Sequence, residues 1–231
     1  MTTEFDSTKI ILFIKSPRLG EVKTRIAESW GNEAALNIYR ALVRDVLKLI
    51  SGLLPCIRIY TDFPEKIFPL LPFSGEPWAV FRQKGKSLGP RMDAAFQETF
   101  SAGAGKALLF GSDIPGITEK ILSVYAKALI SGDTVLGPAR DGGYYLIGFR
   151  HDSYVAALFS DIPWSTGQVY ALTRKKITDL GMTCFSGPIM RDIDTLEDLE
   201  FIRRNQKLKQ FIPNVLKEIE KLPYEGPCKN Q

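Results

Sequence analysis

Four basic side chains fall within eleven positions near the N-terminus: Lys15, Arg18, Lys23 and Arg25, in the run Lys15-Ser-Pro-Arg18-Leu-Gly20-Glu-Val-Lys23-Thr-Arg25. Gly20 frees the backbone between them. Cations at this density, on a loop that runs into a helix N-terminus, suit a ligand carrying several phosphates. The stretch is not a Walker A loop, because two residues separate Gly20 from Lys23, and it is not a dinucleotide fingerprint. The other reading of the same residues is a solvated basic turn.

Carboxylates could supply the complementary chemistry. Asp113 follows Gly111 and Ser112 at the end of an apolar run. There it can hold a hard cation beside the basic loop, or it can close the turn Ile114-Pro115-Gly116 through that turn's backbone. Asp192 and Asp194 stand two apart in Arg191-Asp192-Ile193-Asp194-Thr195, so in extended chain they share a face. Either can be a second metal ligand. Either can instead cap the next helix, a role Thr195 can also fill. Asp141-Gly142 between β-rich runs is a hairpin signal, while Gly142 and Gly143 would also let a substrate approach the backbone closely.

The loop from Arg82 to Arg91 adds cations, and Gln83 and Gly85 bring amide groups able to read a base. Ser165 and Thr166, after Trp164, either line an acceptor pocket or follow an aromatic anchor at a helix start. The single histidine, His151, has no Gly-x-Ser-x-Gly elbow to serve, so a serine hydrolase is a poor reading. One histidine and three cysteines without ligand spacing (Cys56, Cys184 and Cys228) exclude a His-rich zinc site and a disulfide frame. Any metal must sit on carboxylates, which suits Mg²⁺ or Mn²⁺.

These residues need elements to position them. Apolar runs at 9–14, 56–61, 78–82, 107–110, 134–139, 144–149 and 182–185 read as strands. Helical stripes occupy 31–51, with apolar residues at 35, 38, 42, 46 and 49, and 88–100. Further helices are expected from Thr118 to about Ser131, from Thr166 to Leu180 with Gly181 as its stop, and after the capping-box pair Thr195 and Asp198. The proline-rich stretch 62–77 reads as a loop with one helical turn. Strands alternating with helices predict an α/β sheet covered on both faces. The 144–149 strand, hairpin-like against its predecessor, predicts one antiparallel member.

The chain has 231 residues, of which 45% are hydrophobic and 24% charged, ordinary values for a globular protein. With no repeat or linker, one domain over 1–231 is expected, with a core at about 9–202 and a helical extension at 203–231. No apolar run nears the ~18 residues that span a bilayer. The start, MTTEFDSTK, lacks a basic n-region and an apolar h-region, so a cytoplasmic protein is expected. Net charge is 30 − 26 = +4, which permits an anionic small substrate and does not argue for nucleic acid. The amphipathic tail from Leu208 to Leu222 should pack on its own domain, and the chain beyond Pro223 should fray. Nothing in the pattern sets the base, the acceptor or the oligomeric state.

Seven motifs in one order resemble a known family. They are Lys15-x-Pro17-x-x-Gly20-x-Val22-Lys23-Thr24-Arg25, Gln83-x-Gly85, Leu88-Gly89-x-Arg91-Met92, Gly111-Ser112-Asp113-x-Pro115, Gly137-Pro138-Ala139-x-Asp141-Gly142-Gly143-Tyr144-Tyr145, Trp164-Ser165-Thr166 and Asp192-Ile193-Asp194-Thr195. Together, over about residues 9–202, they resemble the bacterial GT-A-like family labelled as glycosyltransferases. It lies in the nucleotide-diphospho-sugar transferase superfamily, with phospholactate and molybdenum-cofactor guanylyltransferases as relatives. The resemblance implies a GT-A fold, a mixed, mostly parallel sheet with helices on both faces. It implies phosphates on the first basic loop and a metal on Asp113 and Asp194. The Asp-x-Asp usual in glycosyltransferases of this fold begins here with Gly111.

The expected activity is metal-dependent nucleotidylyl transfer from an NTP to a small phosphorylated acceptor. Lys23 and Arg25 would act at the leaving pyrophosphate. Lys15, Arg18, Gly20, Gln83, Gly85, Arg91, Asp141, Gly142, Gly143, Ser165 and Thr166 would bind nucleotide or substrate. Glycosyl transfer from an NDP-sugar is the alternative, and a non-catalytic nucleotide-binding domain the third reading.

Overall fold

The computed structural model describes residues 7–54, 56–71 and 78–222. The expected frayed tail and Cys228 lie outside them, as does the 72–77 part of the proline-rich loop. Seven strands form one sheet: β1 (Thr8–Ile14), β2 (Ile57–Thr61), β3 (Ala79–Arg82), β4 (Lys106–Gly111), β5 (Thr134–Pro138), β6 (Tyr144–Arg150) and β7 (Cys184–Ser186). Their order is β3-β2-β1-β4-β6-β5-β7. All neighbours run parallel except β6, which is antiparallel to both β4 and β5. This is the mixed, mostly parallel sheet expected, with its single reversed strand where the Asp-Gly turn placed it.

Eight α-helices, with four short 3-10 turns besides, make up the rest of the regular structure in the described residues: α1 (Thr24–Ile50), α2 (Pro64–Ile67), α3 (Leu88–Ser101), α4 (Glu119–Ala128), α5 (Val169–Asp179), α6 (Leu196–Arg204), α7 (Gln206–Lys209) and α8 (Pro213–Glu220). Alternation along β1 sorts its side chains to opposite faces. Ile10, Leu12 and Ile14 pack against α1 and α4 through Tyr39, Val43, Leu122 and Tyr125. Ile11 packs on the other face with Met92 and Phe96 of α3 and Ile177 of α5. The connections from β1 to β2 and from β3 to β4 therefore cross opposite faces. They leave a switch point between the adjacent β1 and β4, where ligands bind in open α/β sheets.

Two helix starts differ from the sequence reading. α1 begins at Thr24 rather than Gly31, with a break at Gly31 (φ 82, ψ 163). Its first turns carry little of the apolar stripe that marks the rest. α5 begins at Val169 rather than Thr166, because Ser165 is left-handed (φ 66) and the Thr166 hydroxyl turns back to Pro163 O at 2.8 Å. Gly181 ends α5 with φ 68, as a left-handed stop requires.

α1 is buried on two sides. Its second face, with Ile26, Ile38 and Leu42, packs on Leu199 and Ile202 of α6 and Val215 and Ile219 of α8. Asp45 on α1 caps α8 from outside that helix. Its carboxylate accepts from the N–H groups of Asn214 (3.1 Å) and Val215 (3.0 Å) and from the Asn214 side-chain amide (2.7 Å). Burial pushes the Asp45 carboxyl up, against the pull of those bonds. Asp45→Ala should cost about 1–2 kcal/mol, as the loss of a capping group does. Thermal unfolding should then begin several degrees lower, at about 2–4 °C per kcal/mol for a chain of this size, with amide exchange fastest in α8. Among the described residues no helix is long and apolar enough to cross a membrane.

Candidate active site

A cleft of about 680 Å³ opens at the C-terminal ends of β1 and β4. Its walls come from the loop after β1, the loops after β3 and β4, the β5–β6 hairpin, the 164–166 turn and the 192–194 segment. Of the residues expected in a site, it brings together Lys15, Lys23, Gln83, Arg91, Asp113, Asp141, Gly143, Ser165, Thr166, Asp192 and Asp194.

The loop after β1 is held by a residue with no motif to mark it. Ser16 is fully buried; its N–H donates to Asp62 Oδ1 (2.8 Å) and its hydroxyl meets Phe63 N (3.0 Å) and Thr61 Oγ1 (3.1 Å). The loop is thus tied to the end of β2. Burial opposes ionisation of Asp62, but the bonds from Ser16 prevail and hold its carboxyl below the usual range. Tyr39 of α1 ties the same loop to the end of β4. Its hydroxyl donates to Lys15 O (2.8 Å) and lies 3.3 Å from Ser112 Oγ. Burial, then the charge of Asp113, keeps that phenol protonated. Tyr39 looks like one more apolar residue of a helical stripe, which is why the sequence hides it.

Lys23 is the N-cap of α1 and adopts a left-handed conformation (φ 49, ψ 47), uncommon for a side chain with a Cβ. Its side chain is 4% exposed. The ammonium sits 3.0 Å from Asp113 Oδ1 and 3.8 Å from Asp194 Oδ1. Arg25 Nη1 approaches the other Asp194 oxygen at 2.9 Å. The backbone brings these carboxylates together: Ile193 N donates to Asp113 O (3.0 Å), and Ile193 itself is buried away from the cleft. Asp192 and Asp194 accordingly share the cleft side.

The sequence left several alternatives open, and the hydrogen bonds choose between them. Asp113 makes no side-chain bond to the 114–116 turn among the described residues. Its Oδ1 is buried, faces Lys23 as an ion pair, and accepts no hydrogen bond. Asp194 does not cap α6; Thr195 does, in a reciprocal box with Asp198. The Asp141-Gly142 turn is a hairpin turn, with Gly142 at φ 87 and Gly143 N bonded to Asp141 Oδ1 (2.8 Å). A Cβ on Gly142 would stand 2.2 Å from Gly167 O, so the hairpin packs directly on the turn before α5. Asp141 and Gly143 still line the cleft. Burial, then the charge of Asp141, raises the Asp192 carboxyl.

Five expected site residues lie off the cleft wall. Arg18 pairs with Glu21 and Asp62 and stacks on Phe63, 4.4 Å from its ring centre. Gly20 (φ 75) shapes the loop, and Arg25 pairs with Asp194. Gly85 is pressed against Arg91 N, where a Cβ would sit at 2.8 Å, and Gly142 packs on Gly167. Gln83 is in the wall but engaged, donating to Tyr60 O (3.1 Å) and accepting from Arg91 (3.3 Å). Trp164 packs edge-on against Tyr144, lies over Gly89 and lines the cleft. His151 is elsewhere, stacked on Phe100.

The donor set fits a hard divalent cation. Asp113 and Asp194 both face the Lys23 ammonium, and the buried Asp113 Oδ1 has that ion pair and no hydrogen bond besides. No group of three or more His, Cys, Asp or Glu could hold a metal among the described residues. The protein would thus give two ligands and leave the rest to water and phosphate, as Mg²⁺ sites often do.

This architecture recurs in known proteins. The family described as an uncharacterized protein conserved in bacteria (DUF2064) matches residues 65–166. A candidate nucleotide-diphospho-sugar transferase from Desulfovibrio desulfuricans G20 is 33% identical, with a TM-score of 0.84, over 93% of this chain and 96% of that one. At 11% identity, 4-diphosphocytidyl-2C-methyl-D-erythritol synthase from Anaerococcus prevotii DSM 20548 shares the fold (TM-score 0.56; 88% and 98% covered). So does the inositol-1-phosphate CTP transferase from T. maritima (13% identity, TM-score 0.53; 90% and 96% covered). No curated protein matches the chain in sequence. With its fold and a relative 33% identical along nearly its whole length, the chain belongs to the same family as that candidate nucleotide-diphospho-sugar transferase, and its residues 65–166 match the DUF2064 model.

Proposed function

We propose that this protein is an enzyme that transfers a nucleotidyl group from an NTP to a small phosphorylated acceptor, with Mg²⁺ or Mn²⁺. The observation that carries the reading is the buried Lys23 ammonium between Asp113 and Asp194 at the N-terminus of α1, in a cleft that Lys15 also lines. A triphosphate carries about four negative charges, and cations at a helix N-terminus are the chemistry that holds them. The nucleotidyltransferases of the same fold support the assignment.

Lys15 and Lys23 hold the β- and γ-phosphates in this scheme, and Arg25 approaches them from the outer side of Asp194. An acceptor phosphate oxygen attacks the α-phosphorus in line; the new O–P bond forms as the bond to the β-phosphate oxygen breaks. Lys23 and Arg25 meet the charge that builds on the departing pyrophosphate. The acceptor is already ionised, so no general base is needed. Asp113 and Asp194 would hold the divalent ion, which supplies Lewis-acid neutralisation of the phosphoryl oxygens. Asp194 is preferred to Asp192 as its second ligand because Asp194 shares Lys23 with Asp113.

Glycosyl transfer from an NDP-sugar is favoured by one observation, the carboxylates of Asp141 and Asp192 lining the same cleft, where one could take a proton from an acceptor hydroxyl. The leaving group separates the two. Purified protein is incubated with each NTP or NDP-sugar, Mg²⁺ and a pool of phosphorylated small molecules. Release of pyrophosphate supports nucleotidylyl transfer. Release of a nucleoside diphosphate from an NDP-sugar contradicts it.

A further inference from the structure

Resting on that reading of the cleft, we infer that Lys23 makes the site select a metal–polyphosphate complex over the free cation. The Lys23 ammonium stands between the two carboxylates assigned to the metal, 3.0 Å from one and 3.8 Å from the other. Arg25 occupies the second oxygen of Asp194 at 2.9 Å. Each of these two carboxylates thus already meets a positive side chain.

A bare divalent cation arriving there meets two carboxylates already paired, and must settle against two positive charges within a few ångströms. At 4 Å, and at the effective dielectric of a protein surface, each such repulsion is worth several-fold to many-fold in affinity. A triphosphate changes the balance. Its oxygens offer the ammonium and guanidinium a stronger anionic partner, drawing them off the carboxylates as its own cation reaches them. Lys23 cannot simply swing into solvent instead. Its side chain is 4% exposed, and its left-handed backbone at the start of α1 fixes the direction in which the side chain leaves. The carboxylates stay paired, and so ordered, until a metal and a polyphosphate arrive together.

The test is Mn²⁺ binding to the whole protein, read by the loss of free-Mn²⁺ paramagnetic resonance signal, with and without the nucleotide that the pyrophosphate assay identifies. Lys23→Met keeps the length and apolar stem of the side chain and removes its charge. It should bind Mn²⁺ without nucleotide at least about tenfold more tightly than the wild type, and gain little further from nucleotide. Arg25→Met, at a position whose side chain is 67% exposed and whose change threatens the fold least, should shift free-metal affinity the same way by a smaller factor. Equal Mn²⁺ affinity of the wild type and both variants without nucleotide would overturn the inference while leaving a carboxylate metal site intact. Mn²⁺ binding to none of the three, even with nucleotide present, would overturn both the inference and the proposed metal site.

Discussion

Lys23→Ala is expected to lower nucleotidyl transfer by about 10²–10³-fold, the usual loss when one preorganised group at a developing charge is removed. The ammonium is nearly sealed from solvent, so water does not replace it cheaply. It is also the shared partner of Asp113 and Asp194, so its removal leaves two carboxylates facing each other near a departing polyanion. Lys23→Arg should rescue little, since a planar guanidinium is bulkier than an ammonium and presents its charge differently. Arg18→Ala should matter far less, because Arg18 faces Glu21, Asp62 and Phe63 rather than the cleft wall. Initial rates of pyrophosphate release, with circular dichroism to show retained fold, check the series. Activity of Lys23→Ala within tenfold of the wild type would contradict the assignment.

The second large effect is on stability and its pH dependence. Asp198 accepts at one oxygen from Asp194 N (3.0 Å), Thr195 N (2.8 Å) and Thr195 Oγ1 (2.8 Å), while Arg191 meets the other. Asp198→Ala removes a capping box and leaves a half-buried guanidinium with Glu197 as its remaining carboxylate partner among the described residues and the Phe201 ring beneath it. The expected loss is about 2–4 kcal/mol, between a cap and a buried ion pair. That is a fall of roughly 5–15 °C in Tm. Burial alone would raise the Asp198 carboxyl, but the bonds from Thr195 and Arg191 outweigh it and hold the group below its ordinary range. A carboxyl depressed in the folded state adds stability that is fully present above the unfolded pKa near 3.9. That stability is lost as pH falls through the lower folded value. Wild type and Asp198→Ala should therefore differ most at neutral pH and converge in strong acid. A gap that stays constant on acidification would contradict this. Because Asp198 also fixes Asp194 N, the variant should bind metal–nucleotide less tightly as well.

The sheet was legible because its chemistry is local. Buried runs such as Ile10–Ile14 and 107–110 carry their own apolar signal, and Asp141-Gly142 announces the one reversal through turn geometry. The strand order was not legible by such means, since nothing local in β6 says that it inserts between β4 and β5. Within the site, charge and spacing exposed Lys15, Lys23, Asp113, Asp192 and Asp194. They could not distinguish Lys23, which enters the cleft, from Arg18, which turns aside to Phe63. That difference is set by the left-handed backbone at Lys23 and by Ser16 pinning the loop to β2, both products of tertiary contact. Tyr39 escaped for a related reason: its hydroxyl acts only once α1 lies across the ends of β1 and β4.

The central claim is that Lys23, Asp113 and Asp194 hold a metal–triphosphate. It is tested most directly by thermal unfolding of wild type and Asp113→Ala with each NTP and NDP-sugar, in EDTA, Mg²⁺ or Mn²⁺. A ligand at 100 times its Kd adds about 2.7 kcal/mol to stability, a rise of roughly 5–10 °C for a chain this long. The prediction is such a rise with one NTP for the wild type, present only with metal, and its loss in Asp113→Ala. A rise that survives EDTA or the loss of Asp113, or one given only by an NDP-sugar, would contradict it.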